Sequence, residues 1–237
     1  MRLIFIIAIN FISLLYYVPK MAYMAKHPEK YPIEKRYAFA QKLLQRLKKH
    51  GRIETEVAGL ENLPESGGYM MFSNHQGQYD ALGIISSHTR PCSMLIDERR
   101  YKIILMKQAI DMLEGVSIDK ESTRSQIEAL RAIAEAVKGG RPYLVFPEGI
   151  YYKGQGNNTN EFKRGCFLAA MKAKCPIVPV TVVDSYKVFE KNSLRRVKSK
   201  VVFHEPIPYE KYKDMKAQQI ADTVRAIIDA ELEKYRD

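Results

Sequence analysis

His75 and Asp80 stand with four residues between them in the stretch Asn74-His75-Gln76-Gly77-Gln78-Tyr79-Asp80, which follows the apolar run Tyr69-Met70-Met71-Phe72. That puts a base and a carboxylate where a strand ends and a helix begins, a usual place for chemistry in an α/β sheet. An imidazole titrates near neutrality, so it can take a proton from an alcohol or thiol as a bond forms. A carboxylate on the other ring nitrogen fixes the tautomer and stabilises the imidazolium. No Ser or Cys adjoins His75, which points to a proton carried by the substrate. A plain helix start, with Asp80 in its first turn and His75 in a loop, accounts for the same residues without chemistry. None of His27, His50, His88 or His204 has Asp at this spacing.

Three further segments bear on the choice. Gly115-Val116-Ser117-Ile118-Asp119-Lys120 is a short strand leading into a helix. Phe146-Pro147-Glu148-Gly149 ends the apolar strand Tyr143-Leu144-Val145, and Pro176-Ile177-Val178-Pro179-Val180 has a buried-strand pattern. With the His-x4-Asp pair these resemble, in chain order, the four sequence blocks of the glycerolipid acyltransferases. They are most like the bacterial 1-acylglycerol-3-phosphate (lysophosphatidic acid) acyltransferases. Phe162-Lys163-Arg164-Gly165 is similar to that family too, and the resemblance spans about residues 55–205.

The resemblance implies an acyl transfer in which His75 is the base and Asp80 its orienting partner. Glu148 and Gly149 would contact the glycerol-like part of the acceptor, Lys120 its phosphate, and Lys163 and Arg164 would assist. It implies acyl-CoA or acyl-carrier protein as donor, with neither cofactor nor metal. Two departures stand out. Lys120 replaces an Arg, keeping the charge but losing the bidentate fork. Ile150-Tyr151 replaces a Thr-Arg pair, so a phosphate-facing guanidinium is missing, with Lys153, Lys163 or Arg164 as candidate substitutes. A different lysolipid or hydroxylated lipid as acceptor, and a non-catalytic membrane-bound scaffold, therefore stay open. A hydrolase is disfavoured because no Gly-x-Ser-x-Gly elbow is present.

The elements that must position these residues alternate along the chain. Strand-like runs fall near 53–58, 69–73, 92–96, 116–119, 142–147, 176–183 and 198–204. Helical stretches fall near 36–49, 80–87, 100–113, 123–138, 163–174 and 214–235, the fourth starting at Thr123-x-x-Gln126 and stopping at Gly139-Gly140. This order predicts an α/β fold with a mainly parallel or mixed central sheet flanked by helices on both faces. In it, His75, Asp119 and Glu148 would converge at one edge. The connection 149–162, rich in Gly, Asn and Tyr, reads as a mobile flap or acceptor-contacting loop.

Residues 1–52 read as a membrane-anchoring segment ahead of a catalytic domain over 53–237. Positions 3–18 are apolar except for Asn10 and Ser13. That is at the short edge for a spanning helix, which needs about twenty such residues, and Pro19-Lys20 interrupts it. Its length allows half-insertion or a span as a membrane anchor, with a signal peptide or a core helix as the other readings. Residues 20–52 hold ten Lys/Arg against Glu29 and Glu34, most of the net charge of +11. Ile33, Tyr37, Ala40, Leu44 and Leu47 recur there at helical spacing, giving an amphipathic helix with a cationic face. Such a helix after an apolar segment suits membrane lipids and an anionic membrane surface, with the catalytic domain on the cytoplasmic face. No nucleic-acid motif accompanies the charge. Cys92, Cys166 and Cys175 form no CxxC or metal spacing and read as reduced thiols, Cys166 and Cys175 as buried ones.

Overall fold

The structure, a computed structural model, describes residues 1–191 and 193–236. The strands are β1 (Ile53–Ala58), β2 (Met70–Ser73), β3 (Ser93–Asp97), β4 (Val116–Ile118), β5 (Tyr143–Val145), β6 (Ile177–Val183) and β7 (Val197–Phe203). The helices are α1 (Arg2–Ile9), α2 (Phe11–Lys26), α3 (Ile33–Gly51), α4 (Asp80–Ser87), α5 (Glu98–Tyr101) and α6 (Ile104–Met112). They continue with α7 (Thr123–Lys138), α8 (Leu168–Ala173), α9 (Lys187–Glu190), α10 (Tyr209–Tyr212) and α11 (Ala217–Leu232).

The strands form one seven-stranded sheet in the order β1-β7-β6-β2-β5-β3-β4. Every pairing is parallel except β6 with β7. This is the expected mixed α/β sheet, and residue alternation shows why both faces are covered. Met71, Leu144, Val178, Val180 and Val182 point into a core shared with Tyr37, Leu43, Ile84 and Ile110 from α3, α4 and α6. Met70, Phe72, Tyr143, Val145 and Ile177 point the other way, onto Ile133, Ala170, Val224 and Ile228 from α7, α8 and α11. Strands buried on two faces read as unbroken apolar runs, as β6 does. By contrast β7 alternates buried with more exposed positions.

Several expected boundaries shift, each for a local reason. The expected helix over 100–113 is two helices, because Ile103 takes extended backbone (φ −75°, ψ 129°) before α6 restarts. That break folds Tyr101 back so that its hydroxyl donates to Asp111 Oδ1 at 2.6 Å. Helix α7 is capped by Ser122, whose Oγ accepts the Ser125 N–H at 3.2 Å, and Thr123 is its first helical residue. The stretch expected as a helix from 163 opens with a 3-10 turn over Arg164–Phe167 before α8. Cys92 and Cys175 are buried, while Cys166 is partly exposed.

The apolar N-terminal stretch is not one rod. Helices α1 and α2 meet at an 80° bend, and no single helix among the described residues is long and apolar enough to cross a membrane. Asn10 makes the bend. Its Nδ2 donates to the Ile6 carbonyl at 2.8 Å, while its Oδ1 accepts from Arg46 Nε at 3.2 Å and meets His50 Nδ1 at 2.7 Å on α3. A side-chain amide competing for a carbonyl within its own helix favours a break there. Pro19, in contrast, lies inside α2 without ending it, at the cost of one backbone bond. Arg2 is buried, 1% exposed, and donates to the carbonyls of Gly51, Ser193 and Arg195. Arg36, expected on a cationic surface, is also buried and donates to Met112 O and Glu114.

Candidate active site

Parallel strands present their carboxyl ends on one edge, so the loops after β2, β3, β4, β5 and β6 meet there. They bring His75, Asp97, Lys120, Glu148 and Ser185 together, and the hydrogen bonds show it directly. His75 Nδ1 lies 2.6 Å from Asp80 Oδ2. A carboxylate only accepts, so Nδ1 carries the proton and the Nε2 lone pair is left for a substrate. Asp80 is 0% exposed. Its Oδ2 also takes the N–H groups of Gln76 (2.6 Å) and Gly77 (2.8 Å), and its Oδ1 takes the Ser185 hydroxyl. It is also the first residue of α4, where the helix macrodipole favours a negative charge. The structural and the chemical readings of this residue are therefore both satisfied at once. The His75 ring stacks on Phe146 (centroids 4.4 Å apart) and meets Tyr151 edge-on at 4.7 Å.

Glu148 is buried and both of its oxygens are engaged. Oε1 accepts the His75 N–H at 2.7 Å. Oε2 accepts from Gln155 Nε2 (3.1 Å), Asn160 N (2.8 Å) and Asn160 Nδ2 (2.7 Å). Burial pushes this carboxyl upward, opposed by the N–H donors of Asn160, His75 and Gln155. Glu148 thus ties the backbone of the base to the following loop. Residues 149–162 carry no regular secondary structure, as expected. They do not hang as a free flap, because Asn157 and Phe162 are buried and Thr159 Oγ1 donates to Asp229 at 2.8 Å on α11.

Two expected cations gather at Gly149. Lys120 Nζ pairs with Asp97 Oδ2 at 2.7 Å and donates to the Gly149 carbonyl. Gly149 has φ +71°, a left-handed conformation that glycine adopts without strain, and a Cβ there would sit 3.3 Å from Lys163 Nζ. Arg164 is exposed at the start of its 3-10 turn. No hydrogen bond or ion pair joins it to this cluster among the described residues. Asp119 converges less fully. It shapes the turn before α7, its N–H donating to Ser125 Oγ and its Oδ1 accepting the Glu121 N–H. An oxyanion formed beside the base would need N–H donors, and the amides near His75 and over 147–149 are the nearest along the chain. Those of His75, Gln76 and Gly77 are taken by carboxylates, and that of Gly149 by the Phe146 carbonyl.

Sequence reasoning missed Ser185 and Arg100. Ser185 follows β6, which abuts β2, and only that adjacency brings it to Asp80. Arg100, on α5, has Nη2 3.4 Å from the Tyr151 hydroxyl. It is a guanidinium beside the very position where the third block lacks one.

Comparison with known proteins gives the family of the chain and the likeness of its fold. Residues 54–183 match the Acyltransferase family, more than half of the chain. A 1-acyl-sn-glycerol-3-phosphate acyltransferase of Brassica napus (BAT2, chloroplastic) is 30% identical over 65% of this chain and 45% of its own length. A probable 1-acyl-sn-glycerol-3-phosphate acyltransferase of Mycoplasma pneumoniae is 25% identical over 83% of this chain and 78% of its own. The chain spans about half the length of the first curated relatives it matches. The crystal structure of the 1-acyl-sn-glycerophosphate acyltransferase PlsC from Thermotoga maritima superposes with a TM-score of 0.80. It covers 99% of this chain and 98% of that one at 21% identity, a likeness of fold. The matched region contains the dyad, the Gly149 cations and Glu148, and with it the chain belongs to the Acyltransferase family.

Proposed function

We propose that this protein moves a fatty acyl group from acyl-CoA or acyl-carrier protein to the hydroxyl of a lysolipid, 1-acylglycerol-3-phosphate, giving phosphatidic acid for phospholipid synthesis. The observation that carries this reading is the His75 Nδ1–Asp80 contact at 2.6 Å, with the carboxylate buried and the imidazole partly exposed. Nε2 takes the acceptor's hydroxyl proton as that oxygen attacks the thioester carbonyl, forming the new C–O bond. The C–S bond then breaks, and the departing sulfur takes the proton back from His75. No acyl-enzyme is needed, consistent with the absence of a nucleophile beside the base. Lys120 and Lys163 at Gly149 supply positive charge for the acceptor's phosphate, and the names of the relatives support that acceptor.

The N-terminal helices support a membrane surface as the place of reaction. Ile4 is 73% and Ile12 83% exposed, with Phe5, Ile7, Phe11, Leu15 and Tyr16 also exposed on α1 and α2. An apolar face of that extent beside a basic helix fits insertion into one leaflet, with the domain on the cytoplasmic side.

Thioester release with and without acceptor tests the activity. Release is expected only when lysophosphatidic acid is present. His75→Ala should lower it by about 10²–10⁴ while the protein stays folded, and Asp80→Asn should lower it too, through the wrong tautomer. Release without acceptor would mean a hydrolase, and near-normal turnover in folded His75→Ala would remove His75 as the base.

A further inference from the structure

Asp80 Oδ2 is crowded with three donors, and all three lie within the segment 75–77. Its other oxygen, Oδ1, is met from the far side by Ser185, which is 105 residues away in sequence. Holding one carboxylate oxygen leaves the plane of the group free to turn about Cβ–Cγ. Holding the second fixes that plane, and with it the direction from which Oδ2 meets the imidazole N–H. The Ser185 hydroxyl has one proton and two acceptors in reach, Asp80 Oδ1 and Gln76 Oε1 at 3.0 Å. The carboxylate is the nearer and the charged one, so it takes the proton. Gln76 Oε1 is then served by the Ser185 backbone N–H at 3.1 Å.

The serine is itself locked. Gln76 Nε2 donates to Asn157 Oδ1 at 2.9 Å. Asn157 Oδ1 also receives the Asp184 N–H at 3.0 Å, while Asn157 Nδ2 donates to Asp184 Oδ1 (3.1 Å) and the Tyr235 carbonyl (3.0 Å). Gln76, Asn157 and Ser185 are all buried. Every amide oxygen faces donors and every amide nitrogen faces acceptors, so neither side chain can flip without leaving buried polar atoms unpaired. The chain of bonds runs from the dyad carboxylate through Ser185, Gln76 and Asn157 to the last turn of the described chain. Ser185 lies just beyond residue 183, where the family match ends.

We propose that Ser185 is a positioning residue for the His75–Asp80 dyad, aiming the Asp80 carboxylate at His75 Nδ1, with Gln76 and Asn157 holding Ser185 in place. The inference rests on the acyl-transfer reading only in taking this dyad as the base. The test uses the full chain and two readouts, turnover and the NMR signal of the hydrogen-bonded His75 Nδ1 proton recorded without substrate. Ser185→Ala removes one hydrogen bond to an ionised group and should lower kcat about tenfold or more, leaving acceptor KM within about twofold. The Nδ1 proton resonance should move as its acceptor loosens. Ser185→Thr keeps the hydroxyl and should return both readouts toward the parent values. A role confined to folding predicts a lowered Tm with kcat and resonance unchanged, and that result in Ser185→Ala overturns the proposal. If Ser185→Ala does not fold, Gln76→Met, which removes the link to Asn157, should show the same pair of changes, and its failure to do so overturns the proposal equally. Should the parent not turn over lysophosphatidic acid at all, the substrate-free resonance still answers the question about Ser185, separating this inference from the choice of acceptor.

Discussion

Around His75 the side chains divide the work by charge and by shape. Asp80 fixes one ring nitrogen, Phe146 covers a ring face, and Tyr151 stands at its edge. Tyr151 thus lies against the reacting base. Its hydroxyl reaches Arg100 on α5, which puts a guanidinium beside the position where the third block lacks one. Losing a charge-assisted contact typically costs about 1.5–3 kcal/mol, but Arg100 is exposed and screened, which places the effect below that range. Arg100→Ala should therefore raise KM for lysophosphatidic acid about three- to tenfold and leave a zwitterionic lysolipid nearly unchanged. Tyr151→Arg should move the same ratio in favour of the phosphate acceptor. Steady-state kinetics on the two acceptors decides it. An unmoved ratio in Arg100→Ala assigns the phosphate to Lys120 and Lys163 alone.

Among the elements, α1 and α2 are set apart by what they leave uncovered. Ile6, Met21 and Met24 are buried and attach the pair to the domain. Arg2 locks the start of α1 by binding carbonyls from both the end of α3 and the segment before β7. The opposite face is apolar and open, and the Asn10 bend lays it out as two helices, neither of them long and apolar enough by itself to cross a bilayer. Burying a large aliphatic side chain contributes about 1.5–3 kcal/mol, so each charged substitution on this face should weaken partitioning roughly tenfold or more. Ile4→Asp with Ile12→Asp should abolish sedimentation with vesicles containing anionic lipid while leaving Tm unchanged. Binding by the parent should weaken with salt, because the basic helix contributes by long-range attraction. Undiminished vesicle binding by the double variant would place the docking face elsewhere.

For the whole molecule, the two cores on either side of the sheet make stability depend on groups buried without charge. His88 at the end of α4 is such a group. Tyr69 donates its hydroxyl to Nε2 at 2.7 Å, and Nδ1 donates to the Arg90 carbonyl at 2.6 Å. Burial pushes its imidazole down from 6.5 to about 4, the Arg90 charge acting in the same direction against the backbone hydrogen bond. A base depressed in the folded state stabilises fully above its unfolded value. That stability is lost as pH falls from about 6.5 towards 4, a contribution on the order of 3 kcal/mol. His204, lowered in the same sense by burial, adds to the decline. Urea midpoints should fall between pH 7 and pH 4.5. His88→Gln should be less stable at pH 7 yet decline less over that range, and an unaltered slope would remove His88 from the acid response.

How much of this was readable in the chain depended on distance along it. The strand ends at His75, Lys120 and Glu148, the two-sided burial of β6 and the dyad itself rest on spacings of a few residues, where periodicity and local sterics suffice. The same locality explains the small misses, such as a cap at Ser122 in place of Thr123, since neighbouring hydroxyls compete for one position. The larger ones all involve partners far apart in sequence. Asn10 was an interruption in an apolar run until α3 brought Arg46 and His50 to it, turning it into a bend. Arg36 counted as surface charge until folding set it against the Met112 carbonyl and Glu114. Ser185 and Asp80 meet because β6 lies beside β2 in the sheet, and Arg100 meets Tyr151 because β3 and β5 pair. Strand order is set by how both faces of the sheet pack against their helices, a property of the assembled core that no local stretch of residues encodes.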